Sequence, residues 1–264
     1  MPRIMIGNDD GISSVGIDVL ARAASNWGQT EIVAPTTQQT GRAKAMTFKH
    51  PLRVQDAVTR SGLPAKSYTG TPADGIIVHN HFYSRPDLVL SGINAGENTS
   101  IHSILTSGTV AVAMEAGLMN IPSFAYSIDV PESYFFQDEF PGELQQAAEI
   151  AVEIAKKFYD QASEKFWKQI LFVNINFPDT FNSNTKIEVV APETYKYKNY
   201  LREKTDPAGQ SYYWLWGDKR EDFNPNRDSY KVYHDKSITL SPISFQESQE
   251  IFDESSAIVD TLGF

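Results

Sequence analysis

Short apolar segments alternate with amphipathic segments along the first two thirds of the chain. Five apolar runs, each bounded by polar or turn residues, predict buried parallel strands. Three longer segments, in which apolar residues recur every three or four positions, predict helices. This order indicates an α/β fold with a doubly wound, mostly parallel sheet, in which ligands bind beyond the carboxyl ends of the strands. The predicted strands are Arg3–Gly7, Glu31–Ala34, Asp87–Leu90, Ser123–Tyr126 and Ile170–Ile175, and the predicted helices are Gly16–Asn26, Thr109–Leu118 and Gly142–Tyr159.

The pattern changes near residue 185. Beyond it, aromatic and charged residues alternate with period two, as in Tyr195–Lys204 and Ser211–Trp216, which predicts β-hairpins. We therefore divide the chain into a core of residues 1–185 and an appended β-rich region of residues 186–264. We interpret the aromatics as the core of the appended region and the basic residues of 196–204 as a solvated face. The alternatives are a hairpin arm that pairs with another subunit and a surface on which bases stack.

Composition excludes several classes of site and partner. The 264 residues include no cysteine, so disulfides, thiolate metal sites and cysteine nucleophiles are excluded. With 23 basic and 33 acidic residues the formal charge is −10, which argues against binding of duplex nucleic acid through its phosphates. Neither a signal-peptide core nor an apolar stretch of membrane-helix length is present, so we expect a cytoplasmic protein with no membrane partner.

Two adjacent acids follow the first predicted strand. Asp9 and Asp10 lie in the sequence Asn8-Asp9-Asp10-Gly11, shortly before the first helix. Two carboxylates in this position are costly to bury unless a cation compensates them. Mg²⁺ and Mn²⁺ bind such a pair together with waters and substrate phosphate. The alternative is a helix cap and a turn residue, and the dipeptide alone does not decide between the two.

A second polar cluster follows the third predicted strand. It consists of LSGINAGEN at residues 90–98 and of Ser107-Gly108-Thr109 at the start of an apolar helix. Free amides at a helix N-terminus favour phosphate, so the second group is a candidate anion site, and Asn94 and Asn98 add neutral oxygens. An ordinary helix cap is the alternative. Because carboxyl ends of neighbouring parallel strands meet, two such clusters favour a common site.

Other polar residues carry weaker signals. Thr40 is a candidate hydroxyl ligand in the loop at residues 34–47, where Arg42 and Lys44 are candidate phosphate contacts or solvated cations. His79 and His81 would share a face on a strand, but we interpret them as structural. The chain has no Gly-x-Ser-x-Gly elbow, no Gly-x-x-x-x-Gly-Lys-Ser/Thr loop and no Gly-x-Gly-x-x-Gly after the first strand. The absence of these motifs disfavours acyl hydrolases, nucleotide triphosphatases and dinucleotide enzymes. Phosphate-monoester chemistry is the candidate that remains.

Six motifs follow one another between residues 3 and 178: IMIGNDDGISSVGIDVL, APTTQQTG, GTPAD, PDLVLSGINAGEN, SGTVAVAMEAG and VNINFP. In this order they resemble the SurE (survival protein E) family of nucleotidases and phosphatases. The resemblance implies a Rossmann-like catalytic core, one divalent metal ion per subunit, Mg or Mn, and hydrolysis of nucleoside 5′-monophosphates, with 3′-monophosphates and short polyphosphate as further substrates. It also implies a homodimer or homotetramer in which C-terminal segments act as arms between subunits.

The resemblance also implies roles for individual residues. Asp9 and Asp10 would be metal ligands and catalytic residues, with Thr40 as the hydroxyl ligand and Asn94 as the amide ligand of the same ion. The implied phosphate- or substrate-binding residues are Asn8, Asn98, Ser107, Gly108 and Thr109.

Thr40 and Thr106 are among the positions that depart from the family pattern, as are Ser100, where the family often has glycine, and the segment SITLSPI at residues 237–243. Thr40 stands where the family usually has serine, which keeps the oxygen but adds a β-branch. Thr106 stands where the family commonly has tyrosine, so an aromatic wall near the substrate is missing and the base preference is open.

The alternative from another class is a receiver-like signalling module that binds Mg²⁺ without hydrolysis. Receivers also place paired acids after the first strand. They are much shorter, however, and need a lysine after the last core strand, where this chain has Asn174-Ile175-Asn176.

Overall fold

Strands and helices alternate in the structure as the apolar pattern predicts. The computed structural model describes residues 1–131, 142–245 and 252–256 of the chain. The strands are β1 (Arg3–Gly7), β2 (Gln29–Pro35), β3 (Val54–Val58), β4 (Pro64–Tyr68), β5 (Leu88–Ala95), β6 (Ser123–Ile128), β7 (Phe172–Phe177), β8 (Ile187–Val189), β9 (Tyr197–Thr205), β10 (Ser211–Lys219) and β11 (Ile238–Ile243). The helices are α1 (Val15–Ser25), α2 (Asp74–Phe82), α3 (Ile101–Thr106), α4 (Gly108–Leu118), α5 (Gly142–Gln161), α6 (Glu164–Gln169) and α7 (Asp228–Tyr233).

A nine-stranded sheet in the order β3-β4-β2-β1-β5-β6-β7-β11-β8 forms the centre of the described chain. The strands from β4 to β7 in this order run parallel. At the two margins, β3 pairs antiparallel with β4 and β11 pairs antiparallel with β7. The predicted α/β class with a mostly parallel sheet is therefore confirmed.

Helices cover both faces of this sheet. On one face α1 and α5 pack through residues such as Leu20 and Leu144, and on the other α2 and α4 pack through Ile76 and Val112. Strands β6 and β7 are buried along their whole length, as expected of parallel strands covered on both sides. None of the described helices is long and apolar enough to span a membrane.

The direction of winding reverses beside β1. From β1 the chain continues to β2 and the β3–β4 margin, whereas β5 lies on the other side of β1 and leads to β6 and β7. Such a reversal opens a crevice at the carboxyl ends of the two strands that flank it. Asp9 follows β1 and Asn94 lies near the end of β5, so both belong to this crevice.

Strands β3 and β4 have no counterpart among the predicted elements. The residues of β3 are exposed or half-buried, and β4 begins with Pro64 and contains Lys66. Neither segment has an apolar run. In β3 this follows from its position as the solvent-facing edge strand of the sheet. These strands form through pairing with β2 and with each other rather than through local preference.

The region beyond residue 185 contributes strands to the same central sheet. β11 lies between β7 and β8. The division of the chain at residue 185 stays a prediction. In the structure, strands from both parts belong to one sheet. Residues 246–251 and 257–264 of the predicted extension lie outside the described residues.

Strands β9 and β10 form a separate antiparallel hairpin. Its large side chains are exposed, with Trp214 at 61% and Leu215 at 74%. Our interpretation of the aromatics as a local core was wrong, because the described residues of this chain cover neither face of the hairpin. Exposed aromatics are what both alternatives require, the arm between subunits and the base-stacking surface.

Candidate active site

A tight turn presents the two acids at the end of β1. Asp9 and Asp10 are each only 3% exposed. Within the turn, the Gly11 amide donates to Asn8 Oδ1 at 3.2 Å, and Asn8 Nδ2 donates to Ser14 Oγ at 2.8 Å. Gly11 adopts a φ of 93°, which glycine reaches without strain. Ser14 in turn caps α1, so the turn fixes both the acids and the helix start.

Asn8, a predicted substrate-binding residue, has its side chain engaged within the turn. Its side chain is fully buried, and Nδ2 also donates to the Gly11 carbonyl at 3.2 Å. Both ends of the amide are therefore engaged inside the turn. In the structure Asn8 supports the turn that carries the acids.

The carboxylate of Asp9 lies at the N-terminus of α4. The Thr109 hydroxyl donates a hydrogen bond to Asp9 Oδ1, and the backbone amides of Gly108 and Thr109 also stabilise the carboxylate. A Cβ at position 108 would lie 2.6 Å from Asp9 Cβ, so glycine is what allows this close approach. Burial nevertheless raises the pKa of Asp9, since it removes the charge from water.

Asn94 also lies next to the Thr109 hydroxyl group. Thr109 Oγ1 lies 3.4 Å from Asn94 Oδ1, while Asn94 Nδ2 donates to the carbonyls of Ala95 at 3.0 Å and Gly96 at 2.6 Å. The amide is thereby oriented with its oxygen towards Thr109. The structure thus brings together Asp9, Asn94, Gly108 and Thr109, which lie on three different elements.

The loop after β2 contacts the backbone of the turn that carries the acids. The Gln39 amide donates to the Asp9 carbonyl at 2.7 Å, and the exposed Thr40 is the next residue of this loop. Further along this loop, Lys44 forms an ion pair with Glu115 on α4. The structure therefore does not support Lys44 as a free phosphate contact. Arg42 stays exposed.

Ser107 is the N-cap of α4. Its Oγ accepts the Val110 amide at 3.2 Å, as the cap interpretation requires. Accepting that bond leaves the hydroxyl proton to donate elsewhere, so a cap and an anion contact are compatible.

Asn98 lies in the loop beyond β5 and is 8% exposed. Its Nδ2 donates to Ser127 Oγ at 2.8 Å. No hydrogen bond connects it directly to the acids within the described ranges. It sits at the same edge of the sheet, held by β6 and β7.

The two histidines lie on α2 and not on a strand. His79 is fully buried with Nε2 at 2.8 Å from Glu31 Oε2, whereas His81 is exposed. Burial lowers the pKa of His79. The described residues contain no group of three or more His, Asp or Glu that could hold a metal, so His79 and His81 build no metal site there.

The donors around Asp9 fit a hard divalent cation. Asp9 and Asp10 offer carboxylate oxygens, and Asn94 and Thr40 offer neutral oxygens, which are the ligand types of Mg²⁺ and Mn²⁺. Within the described chain, the burial of Asp9 is offset mainly by the Thr109 hydroxyl and by backbone amides, which carry no full charge. A bound cation would remove that cost.

Sequence reasoning missed the residues that hold the loop after β5. Asn174 and Asn176 on β7 bond to the backbone of Asn98, and Lys196 bonds to Glu97. Asp228 Oδ2 accepts the Ser100 amide at 2.9 Å. The available signal was the alternation of asparagine with apolar residues in VNINFP, because asparagine is unusual inside a buried strand.

Comparison with known proteins decides the family. The family model of survival protein SurE matches residues 4–199. The chain belongs to the SurE family. The resemblance inferred from the motifs is thus confirmed.

Relatives of SurE type match nearly the whole chain. The 5′-nucleotidase SurE of Thermococcus kodakarensis is 31% identical over 258 residues, which cover 96% of each chain. The 5′-nucleotidase SurE of Methanothermobacter thermautotrophicus is 34% identical over 220 residues, 82% of each chain. The crystal structure of the SurE protein from Aquifex aeolicus superimposes with a TM-score of 0.79 at 26% identity and covers 98% of this chain and 100% of that one.

Proposed function

We propose that this SurE family member is a divalent-metal-dependent phosphomonoesterase that hydrolyses nucleoside 5′-monophosphates to nucleoside and phosphate. The observation that carries the proposal is the convergence of Asp9, Asn94 and the N-terminus of α4 where the winding of the sheet reverses. The similarity to relatives named 5′-nucleotidase SurE supports the same reaction.

The N-terminus of α4 binds the phosphate group in this proposal. The Ser107 hydroxyl donates to its non-bridging oxygens, with Asn98 as a further contact. The amides of Gly108 and Thr109 and the Thr109 hydroxyl, which bond to Asp9 in the structure, donate to the phosphate once it binds. Removing one preorganised donor of this kind costs about 2.7–4 kcal/mol of transition-state stabilisation in comparable sites. The backbone of α4 holds the Ser-Gly-Thr group at residues 107–109, and side chains of β6 and β7 hold Asn98.

One Mg²⁺ or Mn²⁺ per subunit would be held by Asp9, Asp10, Thr40 and Asn94. When bound, such an ion neutralises phosphate charge and activates water. The acids orient the attacking water, and one of them accepts its proton. Attack in line with the ribose 5′-oxygen breaks the bond between phosphorus and that oxygen, which takes up a proton as the nucleoside leaves.

Phosphate release from a substrate panel tests this function. In the presence of Mg²⁺ or Mn²⁺ we expect release from nucleoside 5′-monophosphates, and the panel includes purine and pyrimidine 5′- and 3′-monophosphates, p-nitrophenyl phosphate and short polyphosphate. Since Thr106 removes an aromatic wall, we expect weak discrimination between bases. Folded protein that releases phosphate from none of these compounds would contradict the proposal and favour the receiver-like alternative.

We further propose that the β9–β10 hairpin is an arm that joins subunits in a homodimer or homotetramer. Trp214 and Leu215 are adjacent and therefore point to opposite faces of the hairpin, and both are more than half exposed. Sedimentation equilibrium should give an oligomeric mass for the wild type and a smaller mass for a Trp214→Ser/Leu215→Ser variant. Lys204→Ser in the same hairpin is the control. A monomeric wild type would exclude the arm, as would an unchanged mass of the double variant.

A further inference from the structure

Two asparagine side chains of β7 hold the backbone of Asn98. The Asn98 amide donates to Asn176 Oδ1 at 2.7 Å, and Asn174 Nδ2 donates to the Asn98 carbonyl at 3.0 Å. Both asparagines are fully buried. The two side chains bind one residue as a neighbouring strand would, by its N–H and its C=O together.

The side chain of Asn98 is held by the next strand. Asn98 Nδ2 donates to Ser127 Oγ at 2.8 Å, and Ser127 on β6 lies beside Asn176 in the sheet register. Ser127 is also fully buried. Three atoms of Asn98 are therefore fixed by side chains of β6 and β7.

The two asparagines reduce the stability of the sheet, because each leaves one polar atom buried without a partner in the described chain. Val173, Ile175 and Phe177 face the apolar core, whereas Asn174 and Asn176 lie on the opposite face of the same strand. Asn174 Oδ1 and Asn176 Nδ2 are buried and have no hydrogen-bond partner among the described residues. Unpaired buried amide atoms disfavour folding, so stability alone does not account for asparagine here. Local costs of this kind concentrate where function requires a fixed geometry.

We propose that Asn174, Asn176 and Ser127 are positioning residues that fix Asn98 for contact with the substrate phosphate. They act through Asn98 and do not touch the substrate themselves. The inference rests on the proposed function, because it needs Asn98 in the phosphate site.

Asn176→Ala tests whether Asn176 positions Asn98, and Thr239→Val is its matched control. Thr239 on β11 lies opposite Asn176 in the register, is fully buried, and its Oγ1 has no partner in the described chain. For Asn176→Ala we expect KM for a nucleoside 5′-monophosphate and the inhibition constant of inorganic phosphate to rise about 10-fold, with a much smaller change in kcat. Thr239→Val should leave all three near the wild-type values. Ser127→Ala removes only a hydroxyl oxygen and should also raise KM. It replaces Asn176→Ala as the test if Asn176→Ala does not fold.

A double-mutant cycle with Asn98→Ala separates positioning from general destabilisation. If Asn176 acts through Asn98, adding Asn176→Ala to Asn98→Ala should raise KM no further. Additive effects, or normal KM in folded Asn176→Ala and Ser127→Ala, would overturn the proposal. A normal KM and phosphate affinity in Asn98→Ala would overturn it as well, by removing Asn98 from the site. Calorimetric titration with inorganic phosphate distinguishes these outcomes from failure of the proposed function, since it measures binding without turnover.

Discussion

Replacing Asp9 with asparagine should reduce kcat for a nucleoside 5′-monophosphate by about 10³-fold or more. Asparagine keeps the shape of the side chain and an oxygen that can accept the Thr109 hydroxyl. It removes the negative charge that the proposed cation and the attacking water require. Because burial already disfavours the charge of Asp9, the free energy of unfolding should not fall. The measurements are steady-state phosphate release and urea unfolding.

Asp18→Asn is the matched control for Asp9→Asn. Asp18 is a fully buried carboxylate on α1, and its Oδ1 accepts hydrogen bonds from the Ser61 amide at 2.9 Å and the Ser61 hydroxyl at 2.7 Å. The same substitution there should lower stability while kcat stays near that of the wild type. Near-normal turnover in Asp9→Asn would remove Asp9 from the catalytic residues.

Replacing Lys196 with methionine should destabilise the protein by about 3–5 kcal/mol. Lys196 Nζ lies 2.6 Å from Glu97 Oε1 and 2.7 Å from the Glu97 carbonyl, and both side chains are less than 10% exposed. Methionine preserves much of the apolar packing but leaves the Glu97 carboxylate buried without its partner. The measurement is the free energy of unfolding in urea.

Two further variants check the origin of that loss. Glu97→Gln combined with Lys196→Met removes both charges and should recover part of the stability. Lys198→Met changes an exposed lysine two positions along the chain and should have little effect. Equal stability of Lys196→Met and Lys198→Met would contradict the structural role of the pair.

Residues that follow apolar strands were predictable from the sequence. The run RIMIG defines β1, and its carboxyl end places Asp9 in the crevice. In the same way β5 carries Asn94, and the apolar helix α4 begins with the Ser-Gly-Thr group. Local pattern and the geometry of parallel sheets together indicate that these groups meet.

Residues that depend on distant pairing were not predictable. Lys196 and the exposed Lys198 each follow a tyrosine, so the local sequence does not tell the buried lysine from the exposed one. Glu97 lies 99 positions from Lys196, and Asn98 lies 78 positions from Asn176. A local sequence pattern does not predict contacts between residues that lie so far apart in the chain. The exposed aromatics of β10 were misinterpreted for a related reason, since pattern alone does not tell whether an apolar face is covered by the same chain.

The central claim is that the acids and the N-terminus of α4 form one metal-dependent phosphate site. Its most direct test is phosphate release from a nucleoside 5′-monophosphate by wild-type protein treated with EDTA and then dialysed. We predict no release from the metal-free protein and restored release when Mg²⁺ or Mn²⁺ is added. Equal release with and without the metal would contradict the claim, as would folded protein that releases no phosphate with either ion.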